Sequence, residues 1–195
     1  ALLAQLAEVV NASTAAFEKY DYARALQLTE SFFWHFTDDY VELIKDRAYG
    51  AAGEEGQASV LAALATTLDS LLRLFAPFLP FATEEVWGWW RTASVHRAPW
   101  PTAVAVDDGD TTLLSTVGDA LSGIRKAKSE AKVKQRTQVI SATVTAGEVR
   151  AAQLAAGLGD LKAAANALEI TIAVGDGELT VSNVELAPPE EPAQA

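Results

Sequence analysis

The chain of 195 residues contains no cysteine, no methionine and only two histidines. The missing thiols exclude disulfide bonds, thiolate metal sites and a cysteine nucleophile. His35 and His96 lie far apart in sequence and leave little for a histidine-based metal site or triad. Uninterrupted apolar stretches are short: no run of about eighteen occurs, and no signal-peptide pattern opens the chain. A cytoplasmic location and no membrane partner are therefore expected. No Gly-x-Ser-x-Gly elbow, phosphate loop or dinucleotide-binding glycine turn is present either. No catalytic residue and no metal ligand is assigned, and the chain is not expected to catalyse a reaction unaided.

Positive charge is also scarce. Fifteen basic residues against 26 acidic ones give a formal charge of −11, which at first sight argues against a nucleic-acid partner. The basic residues are unevenly spread. Arg125, Lys126, Lys128, Lys132, Lys134 and Arg136 all fall within residues 124–136, beside the single acid Glu130. Local charge governs phosphate contact more than net charge does.

Half of the residues are hydrophobic, ample for a core. Leu2, Leu6, Val9, Ser13, Phe17 and Tyr20 recur at helical spacing. The first helix opens without a cap or a methionine, so Ala1 reads as a cut edge of a larger protein. Asp21 can cap a second helix with the stripe Ala25, Leu28, Phe32, Phe36, Tyr40 and Leu43, and Arg47 on the same face. Gly50, Gly53 and Gly56 then break the chain. A third helix carries Val60, Leu61, Leu64, Leu68, Leu71, Leu72 and Phe75 and stops before Pro77. Thr83 can cap a short fourth helix with Glu84 and Glu85 in its first turn.

Residues 91–110 read as irregular, with an acidic Asp107–Asp110 turn. A helix starting near Thr111 buries Leu114, Val117, Leu121 and Ile124. The period then changes: strands are expected at 138–145, 168–174 and 179–186, with alanine-rich helices over 147–166. Gly175-Asp176-Gly177-Glu178 reads as a hairpin turn. The fold is therefore expected to be mainly α, an up-and-down helical bundle followed by a small α+β domain. The divisions are a bundle over 1–110, a connecting basic helix over 111–136, the α+β domain over 137–186, and a disordered tail over 187–195.

Continued as one helix, the basic segment puts Arg125, Lys128, Lys132 and Arg136 on one face, with Lys126 and Lys134 flanking. Such a stripe can track a phosphate backbone. It can equally be a solvated face pairing with nearby acids. His35, Asp38, Asp39 and Glu42 share a helix face, but no second acid-and-histidine helix completes a metal cage, so a solvated face with one interhelical salt bridge is expected. Among the aromatics, Phe32, Trp87 and Trp90 read as core, while Trp34 and Trp89 stay open between packing and base stacking.

Four segments resemble the class I valyl-tRNA synthetase family. Phe32-Phe33-Trp34-His35-Phe36-Thr37-Asp38-Asp39-Tyr40 through Arg47 is similar to the long helix of its anticodon-binding bundle. Leu72-Arg73-Leu74-Phe75-Ala76-Pro77-Phe78-Leu79-Pro80-Phe81-Ala82-Thr83-Glu84-Glu85-Val86-Trp87 is similar to "LLHPFMPFVTEELW". Ser94 through Pro101 resembles the "SIHxAxWP" turn, and Ile124 through Arg136 the segment leaving the bundle. The resemblance covers residues 1–136 well and the rest weakly. Isoleucyl-tRNA synthetase, with a similar bundle, is the neighbouring family, and Asp38-Asp39-Tyr40 and Thr83-Glu84-Glu85-Val86-Trp87 favour valine. The "HIGH" and "KMSKS" signatures are absent, as are catalytic and editing domains, and the first helix of the bundle would precede Ala1. An α+β unit stands where many bacterial members carry a coiled-coil arm.

The resemblance implies a part of a valine–tRNA ligase that holds the anticodon stem-loop of tRNA(Val), with ATP and Mg acting only in the parent enzyme. Arg125, Lys126, Lys128, Lys132, Lys134 and Arg136 are the expected phosphate contacts, and Lys45, Arg47 and Trp34 weaker candidates. The implied partners are tRNA and the catalytic body of the parent, not DNA. A helical scaffold holding protein partners is the alternative of a different class.

Overall fold

The structure, a computed structural model, describes residues 1–105 and 109–188, and they form two units. The first comprises residues 1–41 and 47–111, the second residues 42–46 and 112 onward. Most of the expected 187–195 tail and part of the Asp107–Asp110 turn lie outside the described residues.

The first unit is helical. Helix α1 (Leu2–Glu18) buries Leu2, Leu6, Val10, Ser13 and Ala16, a stripe of three- and four-residue steps. The expected stripe through Val9, Phe17 and Tyr20 is displaced, because α1 stops short of Tyr20. That residue takes a left-handed backbone (φ 60), its N–H bonding to Phe17 O and that of Asp21 to Ala16 O, a Schellman ending. Asp21 then caps α2 (Tyr22–Trp34), its Oδ1 accepting the Arg24 N–H at 3.0 Å.

The long helix changes pitch at His35–Tyr40, which is π-helical, before the short α3 (Val41–Leu43) and α4 (Lys45–Ala48). A wider turn lets residues four apart point nearly the same way. Phe32, Phe36 and Tyr40 are accordingly all buried, with successive ring planes only 10° and 22° apart. Gly50 and Gly53 supply the positive φ angles of the next turn, whereas Gly56 lies inside α5 (Gly53–Phe75). Helix α5 is long and apolar enough to cross a membrane by length and composition. Here it packs against α1, α2 and α6, and its Asp69 pairs with Arg73 and, at 3.0 Å, with Arg91.

Helix α6 spans Pro80–Gly88 with Pro80 in its first turn. Thr83 is thus not the expected cap. It is buried, and its hydroxyl donates to Leu79 O at 2.9 Å. The earlier start turns Glu84 toward the segment after α6, where it accepts the Ser94 hydroxyl and the Val95 N–H, each at 2.9 Å. Val95 joins Leu72, Ala76 and Trp87 in a core cluster, and Trp87 Nε1 donates to Ala93 O at 2.7 Å. Trp90, expected in the core, is 45% exposed because α6 has already ended.

The second unit joins α7 (Leu113–Glu130) to β1 (Val139–Ala146), α8 (Glu148–Ala156), α9 (Leu158–Ala165), β2 (Ala167–Val174) and β3 (Thr180–Leu186). The sheet order is β2-β1-β3, with β2 parallel and β3 antiparallel to β1. The expected hairpin is therefore not one: the strands flanking Gly175–Glu178 pair with opposite edges of β1. The α8–α9 crossover places β2 parallel to β1, which leaves the far edge of β1 for β3.

Helix α7 packs on α8, α9 and β3, so it is a layer of this unit and not a connector. Close approach depends on two glycines. A Cβ on Gly123 would lie 2.5 Å from Val181 Cγ2, and one on Gly157 2.6 Å from Val117 Cγ2. The sheet buries Ala142, Val144 and Ala146, while the alternate positions are polar, with Thr143 and Thr145 half-buried and Thr171, Thr180 and Ser182 exposed. Those threonines and serine offer no aromatic surface for stacking bases.

Candidate nucleic-acid interface

The buried face of α7 runs Val117, Leu121, Ile124, Lys128, in steps of four, three and four. Lys128 completes a hydrophobic stripe and is 2% exposed. Its Nζ donates to Ala165 O at 2.7 Å and to Gln135 O at 2.9 Å. Burial first, and then the Arg125 guanidinium, hold its ammonium below the usual lysine range. The expectation that Lys128 touches phosphate is corrected: its charge is spent on two carbonyls. One of these ends α9, where a cation opposes the negative end of the helix dipole.

The single-helix stripe is corrected too. Helix α7 ends at Glu130, and Lys132 stands in a left-handed backbone (φ 55) that turns the chain. Its N–H bonds to Ser129 O and that of Val133 to Lys128 O, at 3.0 and 3.1 Å, again a Schellman ending. Residues 131–138 therefore form a turn, not further helix. Gln135 Nε2 fixes it by donating to Arg125 O at 3.2 Å and Ser129 Oγ at 3.0 Å. Asn166 Nδ2 donates to Arg136 O at 2.8 Å.

On this frame Lys126, Lys132, Lys134 and Arg136 are exposed and Arg125 is half-buried. Lys126 stands 4.0 Å from Glu130. Among the described residues no carboxylate lies within ion-pair distance of Arg125, Lys132, Lys134 or Arg136. Self-pairing thus accounts for one cation of the cluster, and five of the six are accessible in whole or part. Sequence reasoning missed Gln135 and Asn166. The signal for Asn166 was an asparagine directly after an alanine-rich helix, where a left-handed ending is common.

The other candidates are scattered. Lys45 is exposed on α4, in the segment grouped with the second unit, while Arg47 and Trp34 belong to the first. Arg47 is half-buried, and its charge partly offsets the burial that raises the Tyr40 pKa. Trp34 is 54% exposed, with its ring edge-on to Phe33 and Nε1 3.5 Å from Glu30 Oε1. His35 pairs with Asp39 at 3.3 Å within its own helix, not with another helix. Among the described residues no group of three or more His, Asp or Glu could hold a metal ion.

A helical unit continuing into a basic helix end and turn defines a class: the chain belongs to the family described as the anticodon-binding domain of tRNA ligase, which matches residues 1–144. The match runs through the whole basic segment into β1. Among individual proteins, the chain is similar to the valine–tRNA ligase of Thermobifida fusca (strain YX), 48% identical over 195 residues that cover 97% of this chain and 22% of that protein. The valine–tRNA ligases of Leifsonia xyli subsp. xyli (strain CTCB07) and Cutibacterium acnes (strain DSM 16379 / KPA171202) are each 46% identical, over 97% and 96% of this chain and 22% of theirs. The chain thus spans about a fifth of the length of these relatives.

Proposed function

We propose that this chain is the tRNA-binding C-terminal part of a valine–tRNA ligase, holding the anticodon stem-loop of tRNA(Val) for ATP-dependent aminoacylation by a catalytic body elsewhere in the parent. The observation that carries the reading is the family match running through a cluster of exposed, unpaired cations on a rigid turn. Arg125, Lys126, Lys132, Lys134 and Arg136 hold backbone phosphates, and unpaired bases are read on the helical unit. Lys45, Arg47 and Trp34 are secondary contacts. Lys128, buried and bonded to two backbone carbonyls, serves as a brace. In this reading ATP and Mg act in the parent's catalytic body, and no step here runs through them. The setting is the cytoplasm, and the nucleic acid is RNA.

The test is a titration of the chain with tRNA(Val) and with the same tRNA carrying a changed anticodon, at low and moderate salt. The reading requires binding that weakens with salt and with the anticodon change. Salt-sensitive binding indifferent to the anticodon would reduce the chain to a phosphate holder. Absence of binding at both salts would favour a scaffold for protein partners.

A further inference from the structure

The end of α7, the 131–138 turn and the end of α9 enclose a pocket of about 310 Å³, lined among others by Arg125, Lys128, Gln135, Arg136, Asn166 and Glu42. Its charges are three cations against one carboxylate. Lys128 already bonds Ala165 O and Gln135 O, so the negative end of α9 is neutralised where it meets the pocket. The two guanidiniums have no carboxylate partner among the described residues.

Both arginines also stand on fixed backbone. The Arg125 carbonyl accepts from Ser129 Oγ at 3.0 Å and Gln135 Nε2 at 3.2 Å, and the Arg136 carbonyl accepts from Asn166 Nδ2 at 2.8 Å. A guanidinium presents a planar fork of donors that matches phosphate oxygens, and a fixed backbone leaves only the two side chains to be ordered on binding.

We infer that this pocket binds one phosphate group between Arg125 and Arg136, with Lys128, Gln135 and Asn166 as positioning residues. Its source is an RNA phosphodiester, because Lys132 and Lys134 stand exposed on the same turn and extend the positive surface. This deepens the tRNA reading and rests on it for the source alone. The phosphate chemistry itself would be shared by inorganic phosphate.

The experiment follows the arginine Nε–H signals of the 195-residue chain by NMR during titration with inorganic phosphate at fixed ionic strength, then with an RNA hairpin. The Arg125 and Arg136 signals should shift together and saturate. Arg136→Gln should raise the phosphate Kd about tenfold or more, the loss of a charge-assisted contact. Asn166→Gly keeps the left-handed backbone but removes the amide on Arg136, and should raise that Kd severalfold. Lys162→Gln, on α9 outside the pocket, should leave it unchanged.

Competition between hairpin and phosphate, with both weakened by Arg136→Gln, supports an RNA phosphate. Hairpin binding untouched by saturating phosphate overturns that source. If no saturable shift appears, and hairpin affinity ignores Arg125→Gln and Arg136→Gln but falls with Lys132→Gly, the pocket is refuted while the tRNA reading stands. Phosphate binding without any hairpin binding keeps the pocket and refutes the reading.

Discussion

Lys128 and Lys132 lie four residues apart in one basic run, yet the fold uses them in opposite ways. Lys128 fills the position that the spacing Val117, Leu121, Ile124 reserves for an apolar side chain, and its ammonium closes two carbonyls. Lys128→Met should therefore destabilise the chain by about 2 kcal/mol, the cost of leaving buried acceptors unmet, as read by urea unfolding. Lys132 holds a left-handed backbone that suits glycine better, a strain of roughly 1 kcal/mol. Lys132→Gly should leave stability unchanged or raise it by up to about 1 kcal/mol while weakening RNA binding. A fall in both would show that the lysine acts through the fold.

The charge of the run was legible in the sequence, and so was the stripe that buries Lys128. The error lay in counting the lysine with the cations 125, 132 and 136 and not with the hydrophobes 117, 121 and 124. Periodicity assigns both faces equally, and only the turn at Lys132 shows that the basic face does not continue. Tyr40 gives a separate residue-scale test. Burial raises its pKa, with Arg47 opposing in part. The unfolded chain then loses the proton first as pH passes about 10, so stability falls with rising pH in that range. Tyr40→Phe should remove that fall, and equal alkaline titration of wild type and variant would contradict it.

At the scale of elements, helix and strand positions were legible to within a few residues because alternation and helical period are strong over α5, α7, β1 and β2. Endings and connections were less so. The α6 start was misplaced since Thr83 offers a capping side chain while Pro80 offers a first-turn ring, and sequence alone does not rank them. The Gly175–Glu178 segment carries hairpin chemistry, yet pairing depends on which edge of β1 the α8–α9 crossover has filled. Packing makes one helix-scale prediction. Gly118→Ala has open space and should stabilise by about 0.5–1 kcal/mol, whereas Gly123→Ala meets Val181 and should destabilise by about 1 kcal/mol once strain exceeds the gain in helix propensity. Thermal unfolding of the two variants decides this; the same sign for both would mean that α7 does not lie on β3 as described.

For the whole molecule, an acidic chain concentrates its accessible positive charge on one helix end and its turn, and the family match extends through it. The net charge of −11 disfavours non-specific adhesion to nucleic acid, and the proposed reading assigns RNA to the cluster. Each phosphate neutralised adds close to 0.7–0.9 to the slope of log affinity against log salt. The most direct measurement is that slope for tRNA binding by the wild-type chain and by the Lys132→Gly, Lys134→Gln double variant. The slope should be shallower by about 1.5 in the variant, with unfolding stability kept. Equal slopes in the two proteins would contradict it, because RNA would then be held by some other surface.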